Sequence, residues 1–136
     1  MTTQLFEQTF MRTHELEIGT FRFYEDMVVG EIHEGKQITL DNSLPLFALA
    51  WEQYRNKSMV YISDRKNSYS LDPTMHFETK KLLPFVAGYA WIVYNPVAER
   101  AARLEERFLD FPTAVFRSMD PALTWAWNLL QENQQD

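Results

Sequence analysis

The chain has 136 residues, 46% of them hydrophobic and 24% charged, which is the size and composition of one globular domain. A net charge of −6 argues against a nucleic-acid-binding protein, which needs a basic face. The lack of cysteine excludes disulfides, thiolate zinc sites and a cysteine nucleophile. Because we find no signal-peptide pattern and no apolar run of about 20 residues, we expect a cytoplasmic protein without a transmembrane segment.

The N-terminal part of the sequence predicts an arm followed by a β-hairpin. Residues 1–13 mix polar and apolar side chains, and we interpret them as an arm in front of a single domain over residues 14–136. Residues 16–24 alternate apolar and polar side chains, which predicts a strand. Residues 27–34 predict a second strand after a two-residue turn, so the two strands should pair antiparallel.

Helices and strands alternate from residue 41 onward. Apolar runs at residues 59–62, 85–94 and 113–117 predict three further strands. Helix-capping residues predict the starts of four helices, and these candidates are Asp41, Asn42 or Ser43, then Asp72, Asn95, and Ser118 or Asp120. The order β-β-α-β-α-β-α-β-α predicts an α/β fold with a mixed, mainly parallel sheet and an N-terminal antiparallel hairpin.

The third predicted helix has the clearest amphipathic pattern. Its apolar residues, expected to face the sheet, are Val97, Ala101, Leu104 and Phe108. The charged residues between them are expected to face water.

The connection between the third strand and the second helix contains the strongest candidate site. Its polar residues are Ser63, Asp64, Arg65, Lys66, Asn67, Ser68, Ser70 and Asp72. Loops at the carboxyl ends of parallel strands form ligand sites in open α/β sheets, and a helix N-terminus favours an anion. Arg65 and Lys66 can add charge-assisted hydrogen bonds. The alternative is that these side chains only complete the turn or remain solvated, with Asp72 as the helix cap.

A second candidate site is centred on His33. This histidine with Glu31 or Asp64 could act as an acid–base pair in an enzyme. Two ligands do not make a zinc site, and no other metal, cofactor or catalytic motif is present, so we predict neither a metal nor a cofactor. A structural or solvated histidine is the simpler interpretation.

The sequence resembles the SpoIIAA-like proteins, relatives of the STAS domain of anti-sigma-factor antagonists, over roughly residues 15–130. The resemblance rests on the segments GEIHEG, VYISDRKNSYSLDP, VYNP and FRSMDPALTWAW. It implies a SpoIIAA-like fold in a bacterial protein of unestablished function. Regulatory STAS members have a phosphorylatable serine in an Asp-Ser-Ser-Gly-like turn at this helix start. This chain has SYSLDP at residues 68–73, which makes Ser70 the nearest match and Ser68 the second.

These observations favour a non-catalytic binding or regulatory module that engages a protein partner through residues 63–72. In the last helix, Trp125 and Trp127 are two residues apart and do not share one helical face. One of them is therefore a candidate for a partner or homodimer interface. The alternative is a small-molecule or lipid-binding domain, which the 15% of aromatic residues favours.

Overall fold

The computed structural model describes residues 10–134, in which a six-stranded sheet lies between helices. The strands are β1 (Phe10–Leu16), β2 (Gly19–Tyr24), β3 (Met27–Ile32), β4 (Gln37–Ile38), β5 (Met59–Arg65), β6 (Ser70–Leu71), β7 (Val86–Val93) and β8 (Thr113–Phe116). The helices are α1 (Leu40–Tyr54), α2 (Met75–Leu82), α3 (Pro96–Glu106) and α4 (Met119–Gln134). Within residues 10–134, no helix is long and apolar enough to cross a membrane.

The large sheet has the strand order β1-β2-β3-β5-β7-β8. β1, β2 and β3 pair antiparallel, whereas β3, β5, β7 and β8 pair parallel. A separate two-stranded parallel ladder joins β4 to β6. The predicted α/β fold with a mainly parallel sheet, an N-terminal hairpin and four helices is thereby confirmed for the part of the chain that the structure describes.

The N-terminal hairpins differ from the prediction in their boundaries. The predicted strand over residues 16–24 is divided by a turn at Glu17 and Ile18, and Leu16 ends a preceding strand, β1. Ile18 is buried although it lies in the turn, so the apolar alternation continues across the break. Of the predicted arm, residues 1–9 lie outside the described residues, and residues 10–13 belong to β1.

Helix α1 begins earlier than predicted because Thr39 is its N-cap. The Thr39 hydroxyl accepts a hydrogen bond from the Asn42 backbone N–H at 3.1 Å, and the Asn42 side chain accepts one from the Thr39 N–H at 2.9 Å. This reciprocal capping box makes Asn42 the third helical residue rather than the cap.

The two faces of the large sheet are covered by different helices. Successive crossovers of one hand leave their helices on one side of a sheet, and α1, α2 and α3 all lie on the side that we call the front face. α4 covers the other side, which we call the back face. The front face presents Phe21, Val28, Tyr61, Tyr89 and Trp91, and the back face presents Val60, Ile62, Ala90 and Ile92.

Helix α3 packs on the sheet through a different side from the one predicted. Ala102 and Glu105 are buried, whereas Val97 is 68% exposed and Leu104 is 48% exposed. Ala101 is exposed as well, so the expectation that Val97, Ala101 and Leu104 face the sheet is wrong. The predicted start is confirmed, since the Asn95 side chain accepts a hydrogen bond from the Ala98 N–H at 2.8 Å.

Candidate ligand cavity and the charged network behind it

A cavity of about 100 Å³ lies between the front face of the sheet and helices α1 and α2. Its wall is mainly apolar and includes Val28, Ile32, Phe47, Ala50, Leu71 and Met75. A water needs only about 10–15 Å³, and an apolar cavity of about 150 Å³ binds benzene. The space therefore suits one small ring or a short chain.

Polar side chains line one part of this cavity. Tyr61 and Tyr89 are neighbours on β5 and β7, and their ring centroids are 5.0 Å apart. Tyr69 lies in the connection after β5, and its hydroxyl accepts a hydrogen bond from Arg65 Nε at 2.9 Å. The Ser63 hydroxyl lies 3.3 Å from the same oxygen. The cavity thus has an apolar part and a part with several phenol groups.

Behind these tyrosines lies a buried cluster centred on the Glu105 carboxylate, which we call the Glu105 network. Arg65 Nη1 is 2.7 Å from Glu105 Oε2. Glu105 Oε1 accepts hydrogen bonds from His76 Nε2 at 2.9 Å and from Trp91 Nε1 at 3.3 Å. Glu105 is 4% exposed and Arg65 is 7% exposed. One carboxylate thereby joins β5, α2, β7 and α3.

The Glu105 network holds a true ion pair. Burial by itself raises the pKa of Glu105, but the hydrogen bond from His76 and the charge of Arg65 outweigh it and leave this pKa below its ordinary value. Burial acts to lower the pKa of Arg65, whereas Tyr69 and the carboxylate of Glu105 act to raise it, and the net direction is upward. Both groups are therefore charged near neutral pH. Such a pair needs full hydrogen bonding to offset its desolvation, and the three donors to Glu105 supply it.

The candidate loop predicted from the sequence is divided by the structure. Ser63, Asp64 and Arg65 are buried within β5, which extends three residues beyond the predicted end at Ile62. The physical reason is that each polar side chain has a partner inside the fold. Asp64, which points to the back face, accepts a hydrogen bond from the Tyr94 hydroxyl at 2.6 Å.

The remaining loop residues are held by the hairpin and by the turn into α2. Lys66, Ser68, Ser70 and Asp72 are exposed and Asn67 is half-buried. The Asn67 amide donates to the Ile32 carbonyl at 2.9 Å, and the Ser68 N–H donates to Glu34 Oε1 at 2.9 Å. Lys66 Nζ lies 3.7 Å from Glu31 and 3.6 Å from Asp64.

Asp72 completes a turn rather than capping α2. Its Oδ1 accepts hydrogen bonds from the Thr74 N–H at 3.0 Å and from the Thr74 hydroxyl at 2.8 Å. These two bonds lower the pKa of Asp72. Thr74 itself occupies the N-cap position without a side-chain cap bond, and α2 begins at Met75. The predicted cap was therefore displaced by two residues, because an aspartate can equally stabilise the turn that precedes a helix.

The other sequence candidates are not brought to the cavity. His33 is exposed, and within residues 10–134 no hydrogen bond joins it to Glu31 or Asp64. The described residues contain no group of three or more metal-ligating side chains. Trp125 and Trp127 are both half-buried against the back-face core.

Sequence reasoning missed four residues that line the cavity, Tyr61, Tyr69, His76 and Tyr89, and the Glu105 carboxylate behind them. A weak signal for Glu105 exists, because it continues a helical stripe with Ala98 and Ala102. Its partners lie 14 to 40 residues away in the sequence, so no local pattern connects them.

Comparison of the sequence with protein-family models and with curated proteins finds no match. Among solved structures, the chain is similar to an uncharacterised protein from the DUF3478 family with a SpoIIAA-like fold from Shewanella loihica PV-4. The TM-score is 0.52 at 15% sequence identity, and the superposition covers 88% of this chain and 94% of that chain. This protein therefore has a SpoIIAA-like α/β fold, as the sequence resemblance predicted. At this level of identity the likeness shows the fold alone.

Proposed function

We propose that this protein binds a small, mostly apolar molecule in the cavity between the sheet and helices α1 and α2. The observation that supports the proposal is the cavity of about 100 Å³ in the centre of the front-face core. Protein interiors are close-packed, and voids larger than a water molecule are few. A space of several water volumes with a mainly apolar lining is able to hold one small apolar molecule.

The residues around the cavity are placed so that it stays open. The Tyr61 hydroxyl lies over Gly30, where a β-carbon would collide with it. Tyr61 therefore leans along the sheet over Gly30 and lines the cavity on the side of the sheet. On the opposite wall, His76 fixes α2 to Glu105, which keeps the helix over the cavity. The positions of the two walls thus depend on Gly30 and on the hydrogen bond between His76 and Glu105.

Two leucine substitutions on α1 test the proposal. Ala50 lines the cavity, whereas Ala48 on the same helix is exposed. Ala50→Leu should fill the cavity and abolish binding of toluene, measured by saturation-transfer NMR, while Ala48→Leu should bind toluene like the wild type. The proposal fails if the wild type binds neither toluene nor methylenecyclohexane, or if Ala50→Leu binds them as well as Ala48→Leu does.

A second candidate function is the engagement of a protein partner by the loop after β5. Its side chains alternate, since Tyr69 and Leu71 line the cavity while Ser68, Ser70 and Asp72 are exposed. A partner bound to the outer side would contact a segment whose inner side touches the ligand. This arrangement favours a module in which a ligand in the cavity changes the binding of the partner to the loop.

Pull-down from the native host tests this second function. Lys66→Ala combined with Ser70→Ala should reduce recovery of the partner, whereas Arg22→Ala, on β2, should leave it unchanged. Phosphorylation of Ser70, or of Ser68, would add the mass of one phosphate to protein purified from that host. An unchanged set of recovered proteins together with an unmodified mass would contradict this second function.

The interface predicted at Trp125 and Trp127 is tested separately by the sedimentation of the wild type and of Trp127→Ala.

A further inference from the structure

Two tyrosines in the cavity wall have hydroxyl groups without a hydrogen-bond partner in the part of the chain that the structure describes. Within residues 10–134, no hydrogen bond is made by the hydroxyl of Tyr61 or of Tyr89. In contrast, the hydroxyls of Tyr54, Tyr69 and Tyr94 all have hydrogen-bond partners. Buried phenol groups usually find a partner, so two free ones side by side are unusual.

These hydroxyls border open space inside the fold. Among the described residues, no side-chain nitrogen or oxygen is sealed from open space without a hydrogen-bond partner. Tyr61 and Tyr89 are only partly buried, and both line the cavity. Both hydroxyls therefore adjoin open space, and the cavity is an open space that both side chains line.

The hydroxyls of Tyr61 and Tyr89 are suited to donate hydrogen bonds to a neutral acceptor. Burial raises the pKa of both Tyr61 and Tyr89, so both hydroxyls keep their protons near neutral pH. The neighbouring charges of Arg65 and Glu105 are already paired with each other. An additional carboxylate or ammonium group would be desolvated without a countercharge, at a cost that one or two hydroxyls do not offset.

We propose that the cavity selects a neutral molecule of about one ring that carries a carbonyl oxygen, which accepts hydrogen bonds from the Tyr61 and Tyr89 hydroxyls. This inference rests on the proposed function, because it names the ligand class of the same cavity. Small cyclic ketones are the simplest members of that class.

Cyclohexanone and methylenecyclohexane test the inference, because they have the same shape and differ in the carbonyl oxygen. Removing both hydroxyls, as Tyr61→Phe with Tyr89→Phe, should weaken cyclohexanone binding by about 5- to 50-fold, since one or two hydrogen bonds are lost. Binding of methylenecyclohexane should stay within about twofold or become tighter.

The control is Tyr24→Phe, which removes a phenol hydroxyl next to the back-face core and should change neither dissociation constant. Dissociation constants come from NMR titration, and thermal unfolding shows that each variant is folded. If the double variant does not fold, the two single variants replace it.

The outcomes separate this inference from the proposed function. If the wild type binds neither of these probes nor toluene, both fail, whereas binding of toluene alone overturns only this inference. If methylenecyclohexane binds but the double variant weakens the two probes equally, or weakens neither, only the carbonyl preference is overturned. Tighter binding of cyclopentanecarboxylate than of cyclohexanone would also overturn it, because it would show that the site favours an anion.

Discussion

The two faces of the sheet are packed in opposite ways. On the back face, α4 presents Ala122 and Ala126, which are both fully buried, and a β-carbon added to Gly88 would collide with Leu129. Small residues on both sides let this helix lie close to the strands. On the front face, large rings such as Tyr61 and Tyr89 separate the helices from the sheet and do not fill the space between them. We infer that the back face contributes close-packed stability, while the front face provides the binding site.

The largest effect is expected from the charged part of the front face. Glu105→Ala would leave Arg65 buried without its countercharge, so the free energy of unfolding should fall by about 3–5 kcal/mol. The control is Glu99→Ala, which removes a surface ion pair with Arg117 and should cost less than about 1 kcal/mol. Urea denaturation followed by circular dichroism measures both. Equal losses would show that the Glu105 network does not anchor the front face.

The difference in packing between the faces is tested by the same substitution on each. Ala126→Leu adds three carbons to a close-packed interface and should destabilise the protein by about 1–3 kcal/mol. Ala50→Leu places the same atoms in the cavity, so its free energy of unfolding should be unchanged or higher. Urea denaturation midpoints compare the two variants. If Ala50→Leu is as destabilising as Ala126→Leu, the front face is as tightly packed as the back face.

A smaller effect distinguishes two tyrosines within the front-face core. The Tyr54 hydroxyl lies within hydrogen-bond distance of the Tyr24 and Met27 carbonyls, whereas the Tyr61 hydroxyl has no partner among the described residues. Tyr54→Phe should therefore cost about 1 kcal/mol in unfolding free energy, and Tyr61→Phe close to nothing. Thermal unfolding of both variants measures this difference. A greater loss for Tyr61→Phe would mean that its hydroxyl already has a structural role.

The smallest effect is a dependence of stability on acid pH. The pKa of Glu105 is lower in the folded protein than its ordinary value of about 4.3. The stabilisation that ionised Glu105 gives to the folded state is therefore complete above a pH of about 4.3. The contribution is lost as the pH falls through the lower pKa of the folded state. Urea midpoints should therefore fall more steeply below about pH 4.3 in the wild type than in Glu105→Gln. Measurement at about 0.5 M salt screens exposed carboxylates such as Asp110. Parallel curves for the two proteins would contradict the prediction.

The order of helices and strands could be predicted from the sequence, whereas the cavity and the charged network behind it could not. Continuous apolar runs located β5 and β7, and the Asn95-Pro96 pair located the start of α3. Helical periodicity predicted the wrong face of α3, because Val97 and Leu104 are more hydrophobic than Ala102 and Glu105, which are the residues buried against the sheet. Glu105 is buried only because Arg65, His76 and Trp91 surround it, and those partners come from other elements. A cavity is set by how neighbouring elements are spaced, and one local pattern does not record that spacing.

The Glu105 carboxylate also bears on how this domain can change in evolution. Loss of Glu105 alone leaves Arg65 as a buried charge without a countercharge, and loss of Arg65 alone leaves Glu105 in the same condition. Single replacements should therefore be rejected and paired replacements tolerated. Homologues in which position 105 is not acidic should also lack a basic residue at position 65, and the histidine at position 76 should then be free to vary.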